Sequence, residues 1–307
     1  MKNNSLLTIA IPVYNRESIV KKTLDSIVSQ SYRPLKIILV DNNSTDNTLI
    51  TLNKWRKDYN SEDFEITILT EPKPGACAAR NKALSVIDTE WTMFFDSDDT
   101  MPSNHIKKVI DSISKNPELE LIGWGSKIHF LNKRLLVKPF NTKSVEYNNI
   151  MHSTFSTQMY MAKTHLFRAA GGWDEDLTMG DDIELASRLL LQKPIIGKIS
   201  NHFVDIFESE SSITNDKKDL SSIQKALEKV RNTLPADKRH WVDLQIIIQG
   251  ATWARNDHKS SDIVAGIIGS ATTPRRFLWK VFYYYLKRGG RGVAKLYALF
   301  HLKGMSI

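Results

Sequence analysis

Over the first hundred residues the hydrophobic pattern changes period repeatedly, and no other feature limits the fold as tightly. "LLTIAIPV" reads as a buried strand, after which "ESIVKKTLDSIVSQ" puts Val20, Leu24, Ile27 and Val28 on one helical face. "LKIILVD" is a second strand, and "STDNTLITLNKWRKDY" a helix expected to be capped by Ser44 or Thr45. "FEITILT", a helix around "AARNKALSVI", and "EWTMFFD" continue the series. Strands alternating with helices imply an α/β class with a mainly parallel sheet covered on both faces. In such sheets ligands bind beyond the carboxyl ends of the strands. Those ends carry Pro12, Tyr14 and Asn15; then Asp41, Asn42 and Asn43; then Asp96, Ser97 and Asp98.

Beyond a helix near Ser103 to Lys115, "ELIGWGSKIHF" returns to β character. The pattern is then irregular until "AAGGWDEDLTMGDDIELASRLLLQ", where a glycine-rich turn leads into a helix with Ile183, Ala186, Leu189 and Leu190 inward. From about Asp216 the chain reads as helical, broken at Pro235, near Gly266 to Pro274, and at Gly289 and Gly290. The expected division is therefore residues 1–214, whose halves meet near residue 100, and a helical region over 215–307. At 307 residues and 41% hydrophobic content this is one large domain, or a domain with an appendage.

Charge and cysteine content narrow the setting. Cys77 is the single cysteine, which excludes an intramolecular disulfide framework, and the first residues carry no signal-peptide pattern. A cytoplasmic protein is expected, and the longest uncharged runs are too short to span a bilayer. The net charge of +8 is concentrated: Ile263 to Ile307 holds eight basic residues and no acidic one, so acids and bases balance in the rest. A neutral body with a cationic, aromatic tail suits an anionic surface, and no nucleic acid is expected as a partner.

Motifs for dinucleotide binding, P-loop chemistry, serine hydrolysis and zinc are all missing. What remains is "FFDSDD", with three carboxylates in four positions that demand a positive partner. Alternate residues of a strand point the same way, so Asp96 and Asp98 are expected to share a side. Two carboxylates suffice for a Mg²⁺ or Mn²⁺ ion when a diphosphate completes its shell. The plainer reading is an acidic turn in which Asp99 caps the helix after Pro102.

"AIPVYNRE", "LVDNNSTDNT", "PGACAARNKAL", "FFDSDD" and "GGWDEDLTMGDDIELASRL" occur in this order. Over roughly Leu6 to Ser200 the series resembles the family-two inverting glycosyltransferases of the GT-A fold. The resemblance implies an inverting, metal-dependent transfer of one sugar from a nucleoside-diphosphate sugar, UDP-sugars favoured, to a hydroxyl of a glycan or lipid-linked glycan. Cell-surface polysaccharide synthesis is the setting it suggests. Position by position it places Pro12, Tyr14, Asn15 and Glu17 beside the nucleotide, Glu17 opening the first helix. It has Asp41 accept the N–H of the base next to Asn43. Arg80 reaches the nucleotide or holds the aspartates, and Gly75 lets the loop come close. Asp98 ligates the metal, Asp96 the ribose or the metal, and Ser97 lies between them. Trp173 stacks on the acceptor beside Asp181, and Asp182 is the base, with Asp181 and Glu184 as substitutes. For these residues the bland alternatives are a helix cap at Asn15, a solvent-facing Arg80, a core Trp173 and acidic residues that only complement a helix dipole. Arg188, one turn beyond Glu184, reads as its ion-pair partner.

The chain departs from the family pattern at Asn42 and Asn43, which replace an aspartate and a glycine; asparagine tolerates the left-handed backbone such a turn needs. Where many relatives carry a further histidine ligand, "FESESSITN" places Glu208 and Ser209, leaving His202 as a substitute. The QxxRW signature of processive synthases is absent, which implies single additions. In "PRRFLWKVFYYYLKR" a helix would gather Leu278, Val281, Phe282 and Tyr285 on one face, with Arg276, Lys280 and Lys287 opposite. That apolar face would lie on an anionic membrane, making the protein peripheral, or pack on the catalytic domain or a second subunit. A competing function is a sugar-nucleotide-binding or scaffold protein without catalysis. Pyrophosphorylases share the layered fold, but "PVYNRE" lacks their glycine-rich loop.

Overall fold

The structure, a computed structural model, describes residues 7–208, 220–254 and 260–301. Strand β1 (Leu7–Val13) leads through helix α1 (Val20–Val28) to β2 (Leu35–Asp41), and α2 (Thr48–Tyr59) to β3 (Phe64–Thr70). Helix α3 (Ala76–Val86) then precedes β4 (Trp91–Phe94), and α4 (His105–Lys115) precedes β5 (Leu121–His129). There follow β6 (Leu135–Lys138), α5 (Val145–His152), β7 (Tyr160–Lys163), α6 (Thr164–Ala169), α7 (Asp181–Leu191) and β8 (Ile196–Phe207). The C-terminal helices are α8 (Leu220–Thr233), α9 (Arg239–Trp253), α10 (Ser260–Ser270), α11 (Thr273–Lys287) and α12 (Val293–His301).

The first four strands form a parallel unit in the order β3-β2-β1-β4, with Val13 opposite Asp41 and Asp41 opposite Thr70. That register brings the polar ends of β1 and β2 level, as the alternation of apolar and helical runs implied. Beyond β4 the sheet turns antiparallel: β7 pairs with both β4 and β5, and β6 takes over from β7 along the same edge of β5. Strand β8 runs parallel to β5 on its other side.

The central strands are largely apolar because both of their faces are covered. Odd residues Ile9, Ile11, Ile37 and Leu39 enter a core with Leu24, Ile27, Leu52 and Val109 from α1, α2 and α4. Even residues Ala10, Ile38, Val40 and Phe94 meet Ala79 and Ala83 of α3 and Leu185 and Leu189 of α7 on the opposite side. Ile183, Ala186, Leu189 and Leu190 are all buried, as their spacing predicts.

A third core joins the C-terminal helices to the sheet domain. Val230, Ile247, Trp279, Phe282 and Tyr297 pack with Tyr147 and Ile150 of α5 and Ile183 of α7, and the Tyr147 hydroxyl donates to the Ala294 carbonyl at 2.7 Å. Within α11 the face differs from the expected one. Trp279, Phe282, Tyr283 and Leu286 are buried, whereas Val281 and Tyr285 are exposed. Aromatic and aliphatic residues occur on both faces of this helix, so periodicity alone could not choose the inner one. Among the described residues no helix is long and apolar enough to cross a membrane.

Candidate active site

The loops after β1 and β2 are held together by side chains that a sequence reading assigned to helix ends. The backbone at Asn15 is left-handed (φ 49°), and its Oδ1 accepts the Thr45 N–H at 2.8 Å while its own N–H donates to Ser44 Oγ at 3.0 Å. Glu17 accepts from Asn47 Nδ2 at 3.0 Å, and the Arg16 N–H donates to Thr48 Oγ1 at 2.7 Å. Three expectations change as a result. Asn15 caps no helix, α1 starts at Val20 instead of Glu17, and α2 starts at Thr48 without a Ser44 or Thr45 cap. Asp46 accepts the Thr48 N–H there instead, at 2.9 Å.

Asp41, at the end of β2 and 2% exposed, accepts only the Ser44 N–H (3.2 Å) through Oδ2. Its Oδ1 is buried without a partner, a costly state for a carboxylate oxygen unless a ligand donor completes it. Tyr14 stands beside this loop at 53% exposure, with Pro12 half-buried behind it. Asn43 has the left-handed backbone (φ 59°) expected of it. Asn42 instead fastens the neighbouring loop, its amide donating to the Glu71 and Lys73 carbonyls (2.8 and 2.7 Å) and accepting the Gly75 N–H (2.8 Å). Gly75 is needed for its φ of +121°, and a Cβ there would meet no other part of the chain within 4 Å.

Arg80 is the centre of the arrangement. One turn into α3 and buried, it donates through Nη2 to Asp96 Oδ1 and through Nη1 to Asp181 Oδ2, each at 2.9 Å. It thereby ties the segment after β4 to the start of α7, two places far apart along the chain. Burial works against its charge, but the carboxylates of Asp96 and Asp181 outweigh that and hold the guanidinium firmly protonated.

The acidic segment itself is not all strand. β4 ends at Phe94 and Ser97 and Asp98 lie in a turn, so strand alternation does not set the directions of Asp96 and Asp98. Asp98 faces Arg16 at 3.7 Å, and burial, together with the charge of Asp96, raises its pKa despite that arginine. Ser97 is buried between them. Asp99 does not cap α4: it is buried, accepts the Phe207 N–H at 3.0 Å and pairs with the Gln158 amide, so it joins the sheet's two halves.

At the start of α7, Asp182 is partly buried and its Oδ1 accepts the Ile183 N–H at 2.8 Å. Burial first, and then the charge of Asp181, push its carboxyl up to about 7, while Lys138 pulls the other way. Gly180 precedes it with φ +77°, and a Cβ there would lie 2.9 Å from Ala226 of α8, so only glycine lets α8 pack this close to the site. Glu184 pairs with Arg188, Nε to Oε1 at 2.7 Å, as its spacing predicts.

Two residues are enclosed in ways that change the roles expected of them. Trp173 is 3% exposed, edge-on to Phe94 with the Arg80 guanidinium 4.4 Å over its ring, so no face is free for a sugar and the expected acceptor stacking is corrected. His202 is stacked on His105, their Nε2 and Nδ1 atoms 2.8 Å apart, and its Nδ1 faces Lys108 Nζ at 3.4 Å. Both ring nitrogens are engaged, which removes it as a metal ligand. Glu208 accepts the Leu131 N–H at 2.9 Å, and Ser209 lies outside the described residues. Sequence reasoning missed Arg16, Lys138 and Tyr160, whose buried hydroxyl senses the charges of Asp182 and Arg80.

Among the described residues no group of three or more His, Cys, Asp or Glu is placed to hold a metal ion alone. Asp98 nonetheless suits one: it is an under-neutralised carboxylate whose nearest cation stands off at 3.7 Å, and a hard divalent ion needs one or two such oxygens when phosphates and water supply the rest. Asp96 has one oxygen committed to Arg80.

The family model for Glycosyl transferase family 2 matches residues 8–165. An uncharacterized glycosyltransferase of Haemophilus influenzae is 22% identical over 74% of this chain and 76% of its own length. Poly(ribitol-phosphate) beta-glucosyltransferase of Bacillus spizizenii is 38% identical over 32% of this chain and 15% of its own length. Among solved structures, S. aureus TarS 1–349 in complex with UDP superposes with a TM-score of 0.61 at 18% identity, over 89% of this chain and 77% of that one. The mannosyltransferase PcManGT from Pyrobaculum calidifontis, in complex with GDP-Man and Mn²⁺, gives 0.60 at 17% identity over 96% and 87%. At these identities the superpositions show a shared GT-A fold. With half of its length matched by the family model, this chain belongs to Glycosyl transferase family 2.

Proposed function

We propose that this glycosyltransferase is inverting and metal-dependent. It moves one sugar per encounter from a UDP-sugar to a hydroxyl of a glycan or lipid-linked glycan in cell-surface polysaccharide synthesis, with residues 1–214 as the catalytic unit. The observation that carries this reading is the double ion pair of Arg80, which sets the carboxylates after β4 beside those opening α7. UDP in TarS and the polyribitol-phosphate acceptor named for the Bacillus relative support the donor and the setting.

In this reading the unpartnered Asp41 Oδ1 accepts the N–H of the base and Tyr14 covers its ring, with the Asn15–Thr45 and Glu17–Asn47 bonds keeping that wall rigid. Asp98 holds the divalent ion together with the donor's diphosphate, and Asp96, steadied by Arg80, takes the ribose side. When bound, the ion supplies positive charge that stabilises the departing diphosphate. Asp182 takes the proton from the acceptor hydroxyl as the acceptor oxygen bonds to the anomeric carbon and the bond to the diphosphate breaks from the opposite side. A carboxyl near 7 suits both halves of that duty, being about half ionised at neutral pH and basic enough to hold the proton.

A thermal-shift screen of nucleoside-diphosphate sugars with and without Mn²⁺ tests the assignment. Ligand at a hundredfold its Kd stabilises by about 2.7 kcal/mol, so UDP-sugars should raise the melting point, and only with metal present. A metal-independent shift, or a larger one with GDP-sugars, would overturn the corresponding part of the reading.

A further inference from the structure

We propose that α11 is an interfacial anchor that seats this protein on an anionic lipid bilayer through the face it turns away from its own core. The sequence posed docking on the protein and docking on a membrane as alternatives, but the helix has two separate faces. Trp279, Phe282, Tyr283 and Leu286 fill the core shared with α9 and α12. On the opposite side Phe277, Val281 and Tyr284, spaced i, i+4 and i+7, form a ridge in solvent; Phe277 is 73% exposed and Tyr284 58%. Lys280 and Lys287 flank the ridge on the side of Arg276, and Arg288 ends it. Exposing such a ridge has a cost in water and a use at a headgroup boundary, where aromatic rings sit among acyl chains and lysines reach phosphate.

Charge selects the occupant. From residue 263 onward the sequence has eight basic residues and no acidic one, and none of Lys280, Lys287, Arg288 and Lys295 is paired with a carboxylate among the described residues. A second copy docking by twofold symmetry would set these cations against their own images with no acid to neutralise them. An anionic bilayer offers what the surface lacks, namely negative charge spread over a plane and an apolar layer beneath it. The anchor is independent of the active-site reading, and it would hold the enzyme where lipid-linked acceptors lie.

The test is co-sedimentation of the full-length protein with vesicles of phosphatidylcholine alone or of phosphatidylcholine mixed with phosphatidylglycerol. The protein should pellet with the anionic vesicles only, and high salt should release much of it. Lys280→Ala/Lys287→Ala should weaken that binding by about 30-fold, at roughly fivefold per cation. Phe277→Ser/Val281→Ser/Tyr284→Ser should abolish it with the melting temperature preserved, because these side chains are exposed. Equal binding to both vesicle types, or undiminished binding by the ridge variant, overturns the proposal. So does retention of a single-stranded oligonucleotide, or ridge-dependent dimerisation seen by light scattering, where anionic vesicles are not bound.

Discussion

The carboxylates after β4 and those opening α7 share Arg80, yet their surroundings bear on them to different degrees. Asp96 has the buried guanidinium at 2.9 Å and Asp98 has Arg16 at 3.7 Å, so the first cluster is provided with cations at its rim. At α7 only Asp181 touches Arg80, while at Asp182 burial and the negative charge of its neighbour outweigh the pull of Lys138 and Arg80. The difference separates two kinds of duty. A carboxylate in contact with a cation can exchange that partner for a ligand; one whose burial and like-charged neighbour outweigh the nearby cations acquires a proton affinity near neutrality, which suits the base role proposed for Asp182.

Asp182→Asn should break the comparison most severely. Loss of a general base lowers the rate by about 10²- to 10⁴-fold, measured as kcat for sugar transfer with donor affinity unchanged. Stability should move the other way. The native state holds the Asp182 proton more tightly than the unfolded chain, so wild-type stability declines as pH rises from 3.8 to about 7 and stays lower above it. The amide escapes that cost, and at pH 8 the variant should unfold later in urea by about 1–3 kcal/mol. Unchanged transfer would reject the base assignment, and lower stability would reject its electrostatic cause.

Arg80→Met removes what the two clusters have in common. It leaves Asp96 and Asp181 without their buried partner, a change that costs about 3–5 kcal/mol in comparable settings. Urea denaturation of Arg80→Met, Asp181→Asn and the double variant forms a cycle in which the double variant should recover part of the loss. Strict additivity would mean that Arg80 acts through Asp96 and its packing on Trp173 and not through Asp181.

These contrasts were only partly visible in the sequence. Apolar runs of strand length bounded by polar residues marked β1 and β2 and placed Asp41 at a strand end, because a strand covered on both faces must be largely apolar. The inward face of α7 followed from its period. Partnerships that depend on tertiary folding left no local trace. Arg16 is one basic residue among 42, and the welding of Asn42 to residues 71–75 requires the β2–β3 register. Trp173 next to glycines looked like a sugar platform, but Phe94 and Arg80 enclose it. Nor could α11 reveal its inner face while aromatics occupied both.

The finest test of the comparison is Lys138, the cation that does most to moderate Asp182. From the end of β6 its ammonium donates to the Ser153 carbonyl at 2.6 Å and to Ser156 Oγ at 3.2 Å, and its positive charge lowers the Asp182 pKa against burial and Asp181. The other groups that shape this carboxyl are Arg80, which also lowers its pKa, and the Ile183 N–H, which hydrogen-bonds the ionised form. Replacing Lys138 by methionine removes an attraction that favours the carboxylate, so the pKa rises. The base must be ionised to act, hence the acid limb of kcat/KM should move to higher pH, by about 0.5–1 unit for a charge in partial contact with solvent. The variant should therefore lag the parent most below neutrality and approach it at alkaline pH, with Lys138→Arg restoring the original limb. A uniform loss across the pH range would instead assign Lys138 to holding the loop at residues 153–156 and would leave Asp182 governed by burial and Asp181.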